Sequence, residues 1–126
     1  MGLEIRKILN LIPSSLQTIP FLKANINTTN NGGGTALYWA ARDDRQAVVT
    51  HLIQAKADLN AVTCNGNTAL HNAAYRGHEA VVEQLLQAKA DPTIVAKGGS
   101  TAAKYAQDYG HAGLAKRLQA AAQGSP

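Results

Sequence analysis

The stretch Thr68-Ala69-Leu70-His71-Asn72-Ala73-Ala74 decides the reading of this chain, because it occurs more than once. It returns upstream as Thr35-Ala36-Leu37-Tyr38-Trp39-Ala40-Ala41 and downstream, more weakly, as Thr101-Ala102-Ala103-Lys104-Tyr105-Ala106-Gln107. The three threonines are spaced 33 residues apart. The segments that follow keep the same register. Ala47-Val48-Val49 matches Ala80-Val81-Val82, and Leu52-Ile53-Gln54-Ala55-Lys56-Ala57-Asp58 matches Leu85-Leu86-Gln87-Ala88-Lys89-Ala90-Asp91. About half the positions of 31–63 are identical to their counterparts in 64–96, which chance does not produce at a fixed offset.

Each unit reads as turn, helix, turn, helix. Asn31-Gly32-Gly33-Gly34, Cys64-Asn65-Gly66-Asn67 and Lys97-Gly98-Gly99-Ser100 are turn chemistry. The threonine after each turn offers a hydroxyl to the free N–H groups of a helix start. Gly77-His78 and Gly110-His111 interrupt the chain between helices. Val48, Val49, Leu52 and Ile53, repeated as Val81, Val82, Leu85 and Leu86, form one apolar stripe on a second helix. A helix pair this short cannot bury its stripe alone, and stacked copies can, which predicts a solenoid.

At this level of detail the chain resembles the ankyrin repeat, with its 33-residue period and Thr-Pro-Leu-His-x-Ala signature. Thr68–Ala74, Gly77-His78 and Ala90-Asp91 carry the resemblance most closely. It implies an all-α ankyrin-repeat solenoid of stacked helix-turn-helix units with hairpin-like loops. The expected organisation is one domain over 1–123: a degenerate capping unit at 1–30, repeats at 31–63 and 64–96, a C-terminal capping unit at 97–123, and a disordered tail at 124–126. In the first unit, Phe21–Asn27 aligns with Gln54–Asn60, and Pro20 cuts its helix short. In the last, Ala103, Ala115 and Gln119 replace Leu70, Val82 and Leu86, as suits a face with no following unit.

The chain also departs from the family pattern. The signature proline is alanine in all three units (Ala36, Ala69, Ala102). Asp44, Lys56 and Lys89 stand where glycine is common and the backbone is left-handed.

Composition narrows the function classes. Twelve basic and eight acidic residues give a net charge of +4, and the basic residues are spread along the chain, unlike the clustered cations of nucleic-acid binders. Cys64 is the only cysteine, which excludes an intrachain disulfide and a multi-Cys zinc site and fits a reducing compartment. The run Arg6–Pro13 has too short an apolar core for a secretory leader, and no apolar stretch is long enough to span a bilayer. The expected location is cytoplasmic, or a host cell if the chain is a delivered bacterial effector.

No catalytic or cofactor constellation stands out. His71 occupies the signature position and reads as structural. His78 and His111 lie one unit apart, and no histidine pair has zinc-ligand spacing. No metal, cofactor or small-molecule substrate is expected. Asp43-Asp44 reads as a solvated turn, and the glycine runs lack the Gly-Lys-Ser/Thr of a phosphate loop.

The resemblance implies binding of another protein by a free monomer, through turn tips and the exposed face of the first helices. In the first full unit the matching positions are Asn31, Gly32, Gly34, Trp39, Arg42 and Asp43. The next supplies Cys64, Asn65, Asn67, Asn72, Tyr75 and Arg76, and the last Lys97, Gly98, Ser100, Tyr105, Asp108 and Tyr109. The selected partner-binding set is Trp39, Arg42, Asp43, Asn65, Asn67, Asn72, Tyr75, Arg76, Ser100, Tyr105, Asp108 and Tyr109. It holds the only tryptophan and three of four tyrosines, residue types that dominate interfaces. Tyr38 and Lys104, at the register of His71, read as structural. Two alternatives stand beside this reading: a nucleic-acid interface on the Tyr/Arg groove, and a hydrolytic site using Cys64 or a histidine.

Overall fold

A computed structural model describes residues 26–29 and 31–124. The capping unit expected over 1–30 lies outside the described residues apart from its last few positions, as do Ser125 and Pro126.

Six helices follow in chain order: α1 (Ala36–Arg42), α2 (Gln46–Gln54), α3 (Ala69–Arg76), α4 (Glu79–Gln87), α5 (Ala102–Asp108) and α6 (Ala112–Ala122). There is no strand among the described residues. The expected all-α repeat solenoid is what the chain forms.

Each first helix starts for the same local reason. Thr35, Thr68 and Thr101 sit in extended backbone, and each Oγ1 accepts the N–H of the third helical residue (Tyr38, His71 and Lys104) at 3.2 Å. One of the orphan donors of the first turn is thereby satisfied. α3 adds a reciprocal contact, because the Thr68 N–H donates to His71 Nδ1 at 3.1 Å. The second helices have no side-chain cap. Their entry is held by backbone instead: Arg45, His78 and His111 N–H groups donate to Ala40, Ala73 and Ala106 carbonyls.

Two of the helix exits carry a left-handed lysine. Lys56 (φ 69°) and Lys89 (φ 75°) follow α2 and α4, and Asp44 (φ 56°) lies in the turn after α1. These are the positions expected to be left-handed, and the conformation is unfavourable for residues with a Cβ.

Helices of seven to eleven residues are marginal in isolation, so packing between units holds them. α1, α3 and α5 pack side by side in one layer, and α2 packs on α4 in the other. Alanines make the first layer close: Ala36, Ala40, Ala41, Ala73, Ala74 and Ala106 are buried. Leu37 and Leu70, with Val49, Leu52, Val81, Val82 and Leu85, fill the space between layers and are almost fully enclosed. On the outer layer, Thr50 Oγ1 donates to Gln84 Oε1 (2.7 Å) and Arg117 pairs with Glu83 (2.6 Å).

The loops tie units together as well. Thr63 N–H donates to the Asn67 carbonyl and Ala96 N–H to the Ser100 carbonyl, each making a hairpin-like tip. Cys64 N–H then donates to Gly32 O, and Lys97 N–H to Asn65 O, one unit back. At the far end, Ala103 and Gln119 line a shallow depression on the last unit. Ala115 differs from the end-face role expected for it: with Leu114 and Leu118 it is closed into the core of its own helix pair.

Candidate functional site

The free face of the first-helix layer is built from three registers. Trp39, Asn72 and Tyr105 share one; Arg42, Tyr75 and Asp108 the next; Asp43, Arg76 and Tyr109 the third. These positions lie three and four residues apart on each helix, so they project from one side of it. Side-by-side packing of α1, α3 and α5 places the three sets next to one another.

All four tyrosines of the chain line one groove. Tyr38, Asn67, His71, Asn72, Tyr75, Tyr105 and Tyr109 enclose about 280 Å³ of open space there. Tyr75 lies 4.3 Å from Tyr109 in a tilted ring contact and 6.4 Å from Tyr105 edge-on. Tyr105 stands edge-on to His71 at 5.4 Å, and its hydroxyl donates to Asn67 Oδ1 at 3.0 Å. Asn67 is therefore both groove wall and anchor for a ring. Tyr75 and Tyr109 are exposed. Asn72, short and half-buried, forms the floor where the neighbouring units carry rings.

Trp39 lines a second depression with Gly32, Gly34, Tyr38, Thr63, Cys64 and Asn65, of about 380 Å³. Its indole Nε1 is buried without a hydrogen-bond partner. Gly34 permits that placement, since a Cβ there would lie 2.7 Å from Nε1. Tyr38 stands edge-on to Trp39 at 5.4 Å and lines both depressions. The aromatic surface from Trp39 to Tyr109 is thus continuous only through Tyr38, because Asn72 is too short to carry the ring series across. Tyr38 was read from sequence as structural. Its value as a wall was signalled by an aromatic at the signature His register beside the only tryptophan.

The charges are unevenly matched. The Arg42 guanidinium lies 5.1 Å from the Trp39 ring centroid and that of Arg76 lies 5.9 Å from Tyr75. Arg42 approaches Asp43 only at 4.0 Å, and Arg76 has no carboxylate within that distance among the described residues. Asp108 is held by Lys104 at 3.2 Å. Burial raises the Tyr38 phenol above its ordinary pKa. The Arg42 charge opposes this, and smaller influences of Tyr105 and Arg76 run in opposite directions. Of the remaining selected residues, Asn65 flanks the Trp39 depression. Ser100 is half-buried, and its backbone carbonyl accepts from His71 Nε2 at 3.0 Å.

Three of the four histidines tie the scaffold together. His71 is 1% exposed. Its Nδ1 faces Thr68 N–H and Oγ1 (2.9 Å), so the ring proton sits on Nε2 and points at the Ser100 carbonyl. Burial lowers its pKa below the usual histidine value, and the Ser100 and Ile94 backbone contacts oppose this less strongly. His78 Nε2 donates to Arg42 O (2.9 Å) and His111 Nε2 to Tyr75 O (3.2 Å), each reaching the first-helix C-terminus of the preceding unit. Cys64 is exposed. No group of three or more His, Cys, Asp or Glu side chains able to hold a metal occurs among the described residues, and no helix there is long and apolar enough to cross a membrane.

A family model for ankyrin repeats, in three copies, matches residues 11–96 and, in an overlapping placement, 48–124. No curated protein matches the chain. Ankyrin repeats are protein–protein interaction modules, typically without catalytic activity. The period, the threonine-capped helix pairs and this match together place the chain in the ankyrin-repeat family.

Proposed function

We propose that this chain binds one partner protein through the free face of α1, α3 and α5, and acts as an adaptor, inhibitor or effector without catalysis of its own. The observation that carries the reading is the gathering of all four tyrosines around one groove, joined through Tyr38 to Trp39. Core packing does not require this, since Tyr75 and Tyr109 are left exposed. Rigid aromatic rings flanked by arginines are what interface hot spots are made of. An exposed single thiol suits a reducing interior, which supports a cytosolic location or, for an effector, the cytosol of a recipient cell.

The test is affinity capture from lysate with wild type and a Trp39→Ala/Tyr75→Ala/Arg76→Glu variant, after melting curves establish that both are folded. A captured protein should bind the variant at least about thirtyfold more weakly, the effect of losing one hot-spot residue of ~2 kcal/mol. Equal affinity for both forms would move the working surface away from this face.

A further inference from the structure

The tyrosine groove is flanked by two guanidiniums on neighbouring helices. Arg42 ends α1 and Arg76 ends α3, and these helices pack directly on each other. Each guanidinium is laid against an aromatic ring that lines the surface. Among the described residues Lys104 is engaged by Asp108 at 3.2 Å and Arg117 by Glu83 at 2.6 Å, while Arg45, Lys56, Lys89, Lys97 and Lys116 form no ion pair and are not stacked on a ring of this surface. Arg76 has no such carboxylate, and the one carboxylate near Arg42 is that of Asp43, its neighbour in sequence, at 4.0 Å. The two arginines are thus the cations that stand beside the aromatic surface without a close carboxylate partner.

Spacing narrows the anion's source. Packed helices stand roughly 8–10 Å apart. An extended peptide in the polyproline II form advances about 3.1 Å per residue with three residues per turn, so side chains three positions apart share one face about 9 Å apart. A segment crossing from α1 to α3 in that form would bring two carboxylates with two residues between them to Arg42 and Arg76. One of the two intervening side chains would lie over the groove walled by Tyr38, Tyr75 and Tyr109, where Asn72 is the short lining residue. Planar guanidiniums are suited to receive carboxylates in two-point contacts.

Resting on the protein-binding reading above, we infer that the partner presents an extended acidic segment, with two carboxylates three positions apart and an apolar or aromatic residue between them, to Arg42, Arg76 and the tyrosine groove. The acidic residues confer selectivity, and the intervening ring or aliphatic group fills the slot.

The test is an NMR titration of the isotope-labelled full chain at roughly 50 mM salt, where exposed charges are weakly screened. The probes are a blocked peptide of sequence Gly-Glu-Phe-Ala-Glu-Gly, its Glu→Gln counterpart, and an oligothymidylate of about ten nucleotides. The acidic peptide should shift the amides of Asn72, Tyr75 and Arg76 and bind about tenfold more tightly than the Gln peptide, as two exposed ion pairs in the middle of their range provide. Arg42→Gln/Arg76→Gln should erase that preference, whereas Tyr75→Ala should weaken both peptides alike. Equal binding of the two peptides would overturn the acidic assignment and leave the groove reading standing. No shift with either peptide, or tighter binding of the oligothymidylate, would also overturn it; the groove reading itself is judged by the capture experiment.

Discussion

Acidification should destabilise this protein in a window set by one histidine. His71 is enclosed, with Nδ1 accepting from Thr68 and Nε2 donating to the Ser100 carbonyl. A second proton would have to go on Nδ1, against the Thr68 N–H and in a buried site, and the folded-state pKa is accordingly lowered. The unfolded chain binds that proton near the ordinary value of about 6.5. Because the folded pKa lies below the unfolded one, the contribution is fully present above pH 6.5 and is lost as pH falls from there toward the folded pKa. With the folded ring neutral throughout, the loss between pH 7.5 and 5.5 reaches its upper limit of about 1.4 kcal/mol. That corresponds to a urea midpoint lower by roughly 0.5–1 M for a slope of 1.5–2.5 kcal/mol/M. Asp91, whose pKa is lowered chiefly by the Thr93 hydroxyl and then by its backbone N–H, is lost only in a more acid window, below its unfolded value of 3.8. The assay is urea unfolding of wild type and His71→Gln at pH 7.5, 6.5 and 5.5. The variant should be less stable at pH 7.5 and shallower in its pH dependence by the His71 contribution. Equal slopes for the two proteins would refute the assignment of the proton to His71.

Other substitutions test the backbone reading. Lys56→Gly and Lys89→Gly relieve left-handed geometry at φ 69° and 75° and should each raise stability by up to about 1 kcal/mol, read as a higher melting temperature; a fall would count against strain there. Gly77→Ala should be the more damaging of two matched glycine changes: its Cβ would lie 2.6 Å from the His111 ring, whereas Gly110→Ala, at similarly positive φ, meets open space. Both carry the left-handed penalty of about 1–2 kcal/mol, so a larger loss for Gly110→Ala would be incompatible with this packing. Thr68→Ala should destabilise more than Thr101→Ala, for which about 1 kcal/mol is expected, because it also removes an Oγ1 contact to His71 Nδ1; equal midpoint changes in denaturant would argue against coupling between the two contacts.

What was legible in the sequence was what one unit determines by itself. The threonine caps and the apolar stripes of α2 and α4 follow from residues a few positions apart, and the left-handed sites at Asp44, Lys56 and Lys89 follow from the resemblance, whose pattern has glycine there. Contacts between units were harder to read. His78 and His111 were visibly equivalent, but nothing local says that their Nε2 atoms reach Arg42 and Tyr75 carbonyls. The position of Tyr38 between two depressions depends on rings contributed by other helices, and Ala115 is closed in by its own pair when its register suggested an end face. The pairing of Asp108 with Lys104 was within reach, since acid and base four residues apart on a helix are neighbours.

The signature register shows how such a stack can hold its fold while altering its surface. In α3 the residue is His71, which completes a reciprocal cap and bonds the next unit's loop. In α1 it is Tyr38, a groove wall; in α5 it is Lys104, paired on the surface with Asp108. All three helices nevertheless start with the same 3.2 Å bond to a threonine hydroxyl. The threonine is therefore sufficient for the helix start, and the histidine adds a tie between units. In a stack where stability is carried by neighbour interfaces, one such tie in α3, which packs against both α1 and α5, strengthens the centre. The same register in α1 and α5 is left free for surface chemistry, and in α1 it supplies the ring that joins the two depressions.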